Sequence, residues 1–186
     1  VIVGGVHVGK TLLVKRIIGG LLGGVANAAP YLLGDENQFT SDLFASPVWM
    51  VDDATPAADP RKKARYTAML KKLSADTTFK YEKKYKESIT TEWAGRIIVT
   101  LNGDPTSLEN LPSIESSNLD KTIMLRCADS VISFPPNDVL EPMIEKELAA
   151  FGAWLLDWQP PVGIVAGTRY GVISYHDDFI KESAAN

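Results

Sequence analysis

A mostly parallel α/β sheet flanked by helices is the fold this sequence predicts, and three runs of residues predict it. Val1-Ile2-Val3 passes directly into Gly4-Gly5-Val6-His7-Val8-Gly9-Lys10-Thr11, Pro47 to Asp53 is an apolar run ending on two carboxylates, and Arg96 to Asn102 is an apolar run ending on an amide. Near-continuous apolar runs of this length suit strands buried on both faces, as the strands of parallel sheets are. Each run ends in polar groups, and open α/β sheets collect their ligands at the carboxyl ends of their strands.

The first run carries the most specific chemistry. Residues 4–11 satisfy G-x-x-x-x-G-K-[ST], with a β-branched strand before and a helical pattern, Leu12 to Ile18, after. That strand, loop and helix order is the context a phosphate-binding loop requires. Gly4, Gly5 and Gly9 let the backbone wrap a phosphate, the stretch through Val6, His7 and Val8 offers backbone N–H groups, Lys10 reaches the outer phosphates and Thr11 is placed to ligate Mg²⁺. His7 is a variable loop position expected to face solvent. A nucleoside triphosphate is the ligand this predicts, against the plainer reading of a glycine-rich turn.

The second run, Pro47-Val48-Trp49-Met50-Val51-Asp52-Asp53, delivers two acids to a strand's carboxyl end. In a nucleoside triphosphatase the first, Asp52, holds Mg²⁺ through water and the second, Asp53, polarises the attacking water. The competing reading is an Asp-rich turn. The third run ends at Asn102, whose amide both donates and accepts and so suits orienting a lytic water or touching the outer phosphate; Asn-Gly-Asp-Pro is also strong turn chemistry. Between these runs lies Phe79-Lys80-Tyr81-Glu82-Lys83-Lys84-Tyr85-Lys86, basic residues interleaved with aromatics. Such a hairpin grips nucleic-acid phosphates and stacks on bases, or is simply a solvated charged edge.

Composition bounds the alternatives. With 186 residues, 45% hydrophobic and 23% charged, the chain suffices for one globular core. One cysteine, Cys127, excludes an intrachain disulfide framework and fits a reducing compartment. The net charge of −4 means that any nucleic-acid contact must come from a local basic patch. The uncharged stretch Ile17 to Gly34 has about the length of a membrane span, but glycines, Asn27 and Pro30 interrupt it, so a glycine-broken helix end and loop are expected and no membrane. Because the first residue already lies in a strand, the chain is expected to lack an N-terminal portion.

The order and wording of these motifs resemble the superfamily 3 helicases of small DNA viruses, papillomavirus-like in places, and the related poxvirus- and phage-type primase-helicases. Met50-Val51-Asp52-Asp53-Ala54-Thr55 resembles that family's acidic motif, Lys83-Lys84-Tyr85-Lys86 its pore hairpin, and Ile97 to Asn102 its third motif, a strand ending in Thr-x-Asn. The resemblance implies a P-loop NTPase of AAA+ type, ATP and Mg²⁺ as ligands, single-stranded DNA held by Lys84 and Tyr85, and a homo-oligomeric ring, a hexamer once the helical region before the phosphate strand is present. Leu119 to Arg126 falls where the family carries the arginine finger that completes a neighbour's site. Here Lys121 stands at the usual arginine position with Arg126 five residues on, and lysine is the poorer bidentate phosphate ligand. The tail resembles the end of phage primase-helicase ATPase domains, with Arg169 in the place of a second sensor.

The organisation expected is an ATPase core over 1–158 and a short C-terminal subdomain over 159–186. A charged helix is expected from Lys62 to Leu73 and another from about Val139 to Asp157. Trp154 and Trp158, four apart, share a helical face and are expected to pack the tail. His176-Asp177-Asp178 is expected to be a capped turn rather than a metal cluster. The function expected is an ATP-driven DNA helicase of a virus, phage or prophage, working in the cytoplasm of a bacterial host or the replication compartment of a viral host. The rival readings are an AAA+ initiator or loader switch, a small-molecule kinase, and a folded but inactive relic.

Overall fold

The computed structural model describes residues 1–33, 41–53, 60–76, 78–81, 88–109, 111, 119–128, 133–165 and 171–185. Lys83, Lys84, Tyr85, Lys86 and Arg169 lie outside the described residues.

Strand β1 (Ile2–Gly4) is followed by one helical run made of α1 (Lys10–Leu12), a π-helical segment (Leu13–Ile18) and α2 (Gly19–Leu22). Then come β2 (Val25–Asn27), α3 (Ala29–Leu33), α4 (Ser41–Phe44), β3 (Val48–Asp52) and α5 (Pro60–Ala75). An antiparallel pair, β4 (Thr78–Tyr81) with β5 (Ile89–Glu92), precedes β6 (Arg96–Asn102), α6 (Pro105–Leu108) and β7 (Leu125–Arg126). Helices α7 (Asn137–Asp157) and α8 (Asp178–Ala185) complete the chain.

The main sheet has the order β2-β3-β6-β1-β7, every neighbouring pair parallel. It is the expected α/β architecture, and the three apolar runs are β1, β3 and β6 at its centre. Strand side chains alternate between faces, and the core divides accordingly. Ile2, Val48 and Met50 turn to one face, where Val14 and Ile18 of the π-helical segment cover them. Val3, Trp49, Val51, Val99 and Leu101 turn to the other and pack with Leu32, Tyr66, Leu108 and Ile180 of α3, α5, α6 and α8. The sheet is thus buried on both faces, which is why β3 is almost uniformly apolar. Trp49 is fully buried, its indole N–H donating to the Leu43 carbonyl at 2.7 Å, and its ring lies 4.4 Å from that of Trp93.

The uncharged stretch that begins within the first helical run is a helix end at Gly23, then β2 and α3. Among the described residues no helix is long and apolar enough to cross a membrane. The two long helices fall where the sequence placed them, each extended by about two residues at its start.

The C-terminal elements depart from expectation in one respect, the placing of Trp154 and Trp158. None of the side chains of α7 is buried: the helix leans on the phosphate helix through Leu148 against Gly20 and an Arg16–Glu141 ion pair. Trp154 and Trp158, expected to pack the tail, stay exposed; Trp154 stacks on Phe151 and Trp158 lies tilted beside Trp154. The tail goes elsewhere instead. His176 bridges in parallel to Met124 beside β7, and Ile180 is fully buried in the main core. Asp177 caps α8 by accepting from the Ile180 N–H at 3.3 Å, as the capped-turn reading of His176 to Asp178 requires.

Among the described residues the buried Tyr66 hydroxyl has no hydrogen-bond partner, and burial pushes its pKa up. Removing that hydroxyl removes an unsatisfied polar group, so Tyr66→Phe should match or exceed the wild type in urea unfolding. Trp49→Ala, which empties a fully packed site, should lower stability by about 3–5 kcal/mol in the same measurement.

Candidate phosphate site at the sheet edge

The parallel strands β1, β3 and β6 end side by side, and their register fixes which polar groups meet. Gly4 pairs with Asn102, and Asp52 pairs with Thr100. The loop leaving β1 therefore starts beside the end of β6, and the helix that follows starts beside the end of β3.

Lys10 donates from Nζ to the carbonyls of Gly4 at 2.8 Å and Gly5 at 2.7 Å and to Asn102 Oδ1 at 3.1 Å. Its ammonium thus lies inside the loop it belongs to, over the sheet edge. Asn102 uses the other half of its amide to donate from Nδ2 to Asp53 Oδ2 at 2.8 Å. The amide chosen for its double character uses both halves, linking the loop lysine to the second acid. The Asn-Gly-Asp-Pro turn is also present, because Asp104 caps α6 by accepting from Ser107 N at 2.9 Å.

Asp52 receives more donors than any other carboxylate of the site. Thr100 Oγ1 donates to its Oδ1 at 2.7 Å, Thr11 Oγ1 donates to the same oxygen at 3.0 Å, and Lys15 Nζ meets Oδ2 at 3.2 Å. Partial burial pushes the Asp52 carboxyl up, yet the hydrogen bonds from Thr100, Thr11 and Lys15 together with the Lys15 charge outweigh it and hold the pKa below its ordinary value of 3.8. Thr100 and Lys15 are the neighbours of Asp52 that the sequence did not single out as candidate site residues. Lys15 was visible in principle, since it lies four residues after Thr11 and so on the same helical side. Thr100 depended on the register between β3 and β6.

Two non-glycine residues among the described ones have positive φ, His7 at 62° and Asp53 at 47°, and both belong to this site. Left-handed backbone costs of order 1 kcal/mol for such residues and persists only where surroundings enforce it. For Asp53 the enforcing bond is its N–H to the Thr100 carbonyl at 3.0 Å. His7 is exposed, as expected.

Thr11 and Asp52 together present hydroxyl and carboxylate oxygens, hard donors that suit Mg²⁺. Among the described residues no group of three or more His, Cys, Asp or Glu is placed to hold a metal. A divalent ion held here by Thr11 and Asp52 would complete its shell with waters or ligand oxygens, as Mg²⁺ usually does.

The two candidate trans-acting cations fall at opposite ends of β7. Arg126 pairs with Val3 at the loop end, lines a recess of about 390 Å³ with Gly4, Gly5, Asn102 and Asp104, and stacks on Phe179 at 4.7 Å. Lys121 sits before the other end of the strand, in a turn closed by His176, whose Nε2 lies 2.9 Å from the Leu119 carbonyl and 3.0 Å from that of Thr122. Two carbonyl acceptors require that this nitrogen carry the proton. The structure therefore brings Lys10, Thr11, Asp52, Asp53, Asn102 and Arg126 to one sheet edge and leaves Lys121 at the opposite one.

The fold and site define a class: an α/β protein whose glycine-rich loop lies at the carboxyl edge of a parallel sheet, among hydroxyl, carboxylate and amide groups. Residues 2–118 match a family of unknown function, DUF5906, and the chain belongs to that family. No curated protein matches it. Two solved structures of the C-terminal region of NrS-1 share the fold, an apo A form with TM-score 0.69 at 17% identity and an apo structure of residues 305–718 with TM-score 0.72 at 15%. Each likeness covers 99% of this chain and 40% or 41% of the other. The chain thus spans about two fifths of the length of the NrS-1 chains it resembles.

Because Asp52 is held below its ordinary pKa, its contribution to stability is complete above the unfolded value of about 3.9 and is lost as the pH falls through the lower folded value. Carboxyl-carbon NMR should show Asp52 titrating below 3.8, with Thr100→Val moving it upward. An unchanged Asp52 titration in that variant would contradict the donor set.

Proposed function

We propose that this chain is the ATP-hydrolysing motor of a replication protein, an AAA+ P-loop NTPase that drives a helicase along single-stranded DNA. One observation carries the reading: Lys10, Thr11, Asp52, Asp53 and Asn102, drawn from three separate parts of the sequence, are joined by hydrogen bonds at one sheet edge. The motif resemblance to superfamily 3 and phage-type primase-helicases supports the choice of motor. The likeness to NrS-1 supports the fold on which it would be built.

In this reading Lys10 neutralises the outer phosphates of ATP, and Thr11 with Asp52 holds Mg²⁺, which when bound supplies charge neutralisation between the phosphates. Asp53 accepts the proton of the water that attacks the terminal phosphorus as the bond to the leaving phosphate oxygen breaks. Asn102, bonded to both Lys10 and Asp53, orients that water. Arg126 lies on the same chain's site, whereas Lys121 at the far edge would reach only a nucleotide held by a neighbouring subunit of a ring. Lys83, Lys84, Tyr85 and Lys86 are bracketed in sequence by the paired strands β4 and β5. They grip DNA by phosphate contacts from lysine and stacking on Tyr85. Such a protein would work in the cytoplasm of a bacterial host, or in the replication compartment of a viral one.

Steady-state ATP hydrolysis by the full-length protein, with and without single-stranded DNA, tests this. DNA should stimulate turnover, Lys10→Ala should lower it by on the order of 10²–10³, and Tyr85→Ala should remove the stimulation while leaving basal turnover. Hydrolysis indifferent to DNA and to Tyr85 would favour a switch ATPase or a kinase.

A further inference from the structure

The segment that follows β7 presses on both ends of the phosphate loop. A Cβ built on Gly4 would come within 2.6 Å of Cys127 Cβ, and one built on Gly9, where φ is +85°, would come within 3.0 Å of Phe134 Cζ and 3.4 Å of its Cε2. Phe134 nevertheless remains 38% exposed. It is a large aromatic ring held against loop backbone instead of being buried in either core cluster. A scattered exposed aromatic needs no explanation, but this one is fixed at a glycine of the loop.

The polarity of the site sets which part of a ligand meets this ring. Lys10 Nζ lies toward Gly4, Gly5 and Asn102, and Thr11 lies on Asp52. The outer phosphates and any metal belong at that end, beside the acids. The nucleoside of such a ligand lies at the opposite end of its phosphate chain from the outer phosphates. Phe134 is an exposed aromatic held on the loop at Gly9, and base faces gain from stacking on such rings in partly water-excluded settings.

We infer that Phe134 is the nucleobase platform of this site, a residue that fixes the ring of a bound nucleoside triphosphate by stacking. The inference rests on the nucleotide-binding reading above and adds its base subsite. Stacking is tolerant of base identity because every base has a π-face, so Phe134 contributes affinity for ATP and GTP alike.

Calorimetric titration of the full-length protein with MgATP, and separately with inorganic tripolyphosphate and Mg²⁺, tests the assignment by comparing wild type, Phe134→Ala and Phe134→Trp. Phe134→Ala should weaken ATP about tenfold and leave tripolyphosphate unchanged, while Phe134→Trp should keep ATP affinity. An unchanged ATP affinity in Phe134→Ala, or an equal loss for both ligands, overturns the platform, the second outcome marking the ring as a prop for the loop. Wild-type protein that binds tripolyphosphate and not ATP also overturns it while leaving the phosphate site standing; wild-type protein that binds neither overturns both readings. Melting curves for the three proteins should coincide, as the side chain is far from fully buried.

Discussion

The Asp52 carboxylate is the constraint on which the site depends. It ends the central strand β3, and its oxygens accept from the first turn of the phosphate helix through Thr11, from the neighbouring strand β6 through Thr100, and from Lys15 one helical turn later. A buried or half-buried carboxylate with one partner is poorly compensated. Asp52 has three, so it remains an anion while holding helix and sheet in fixed relation. With that relation set, Lys10 comes over the sheet edge onto Asn102, and Asn102 in turn fixes Asp53. The left-handed backbone at Asp53 is the local cost of this arrangement.

Chemistry is graded along the loop. Two carboxylates, a threonine hydroxyl and an amide gather around its Lys10 end, and Gly9 of the same loop meets the aromatic ring of Phe134. Arg126 and Lys121, alike as cations in the sequence, are separated by the length of β7 because a parallel edge strand puts its two ends on opposite rims of the sheet. Position in the fold, more than side-chain type, therefore decides which of them reaches the loop of its own chain.

Much of this was legible in residue order alone. The glycine-rich loop is a local motif, and the apolar runs of β3 and β6 announce strands buried on both faces, so Lys10, Thr11, Asp52 and Asn102 could be named as candidates for one sheet edge, where the structure brings them together. Thr100 could not be given its role, because a threonine inside an apolar strand acquires one only when strand register places it opposite Asp52. Nothing near Phe134 in sequence forms a motif, and its contact with Gly9 spans more than a hundred residues. The tryptophans of α7 were misjudged for a related reason: a shared helical face shows which residues lie together, and not what covers them. Ile180 buries itself in the main core, and Trp154 and Trp158 stay exposed side by side.

The most direct measurement is a crystal structure of the protein with Mg²⁺ and a non-hydrolysable ATP analogue. The account predicts the terminal phosphate within hydrogen-bond distance of Lys10 Nζ, with the metal on Thr11 and beside Asp52. A nucleotide bound elsewhere, or one whose phosphates leave Lys10 and Thr11 untouched, would contradict it.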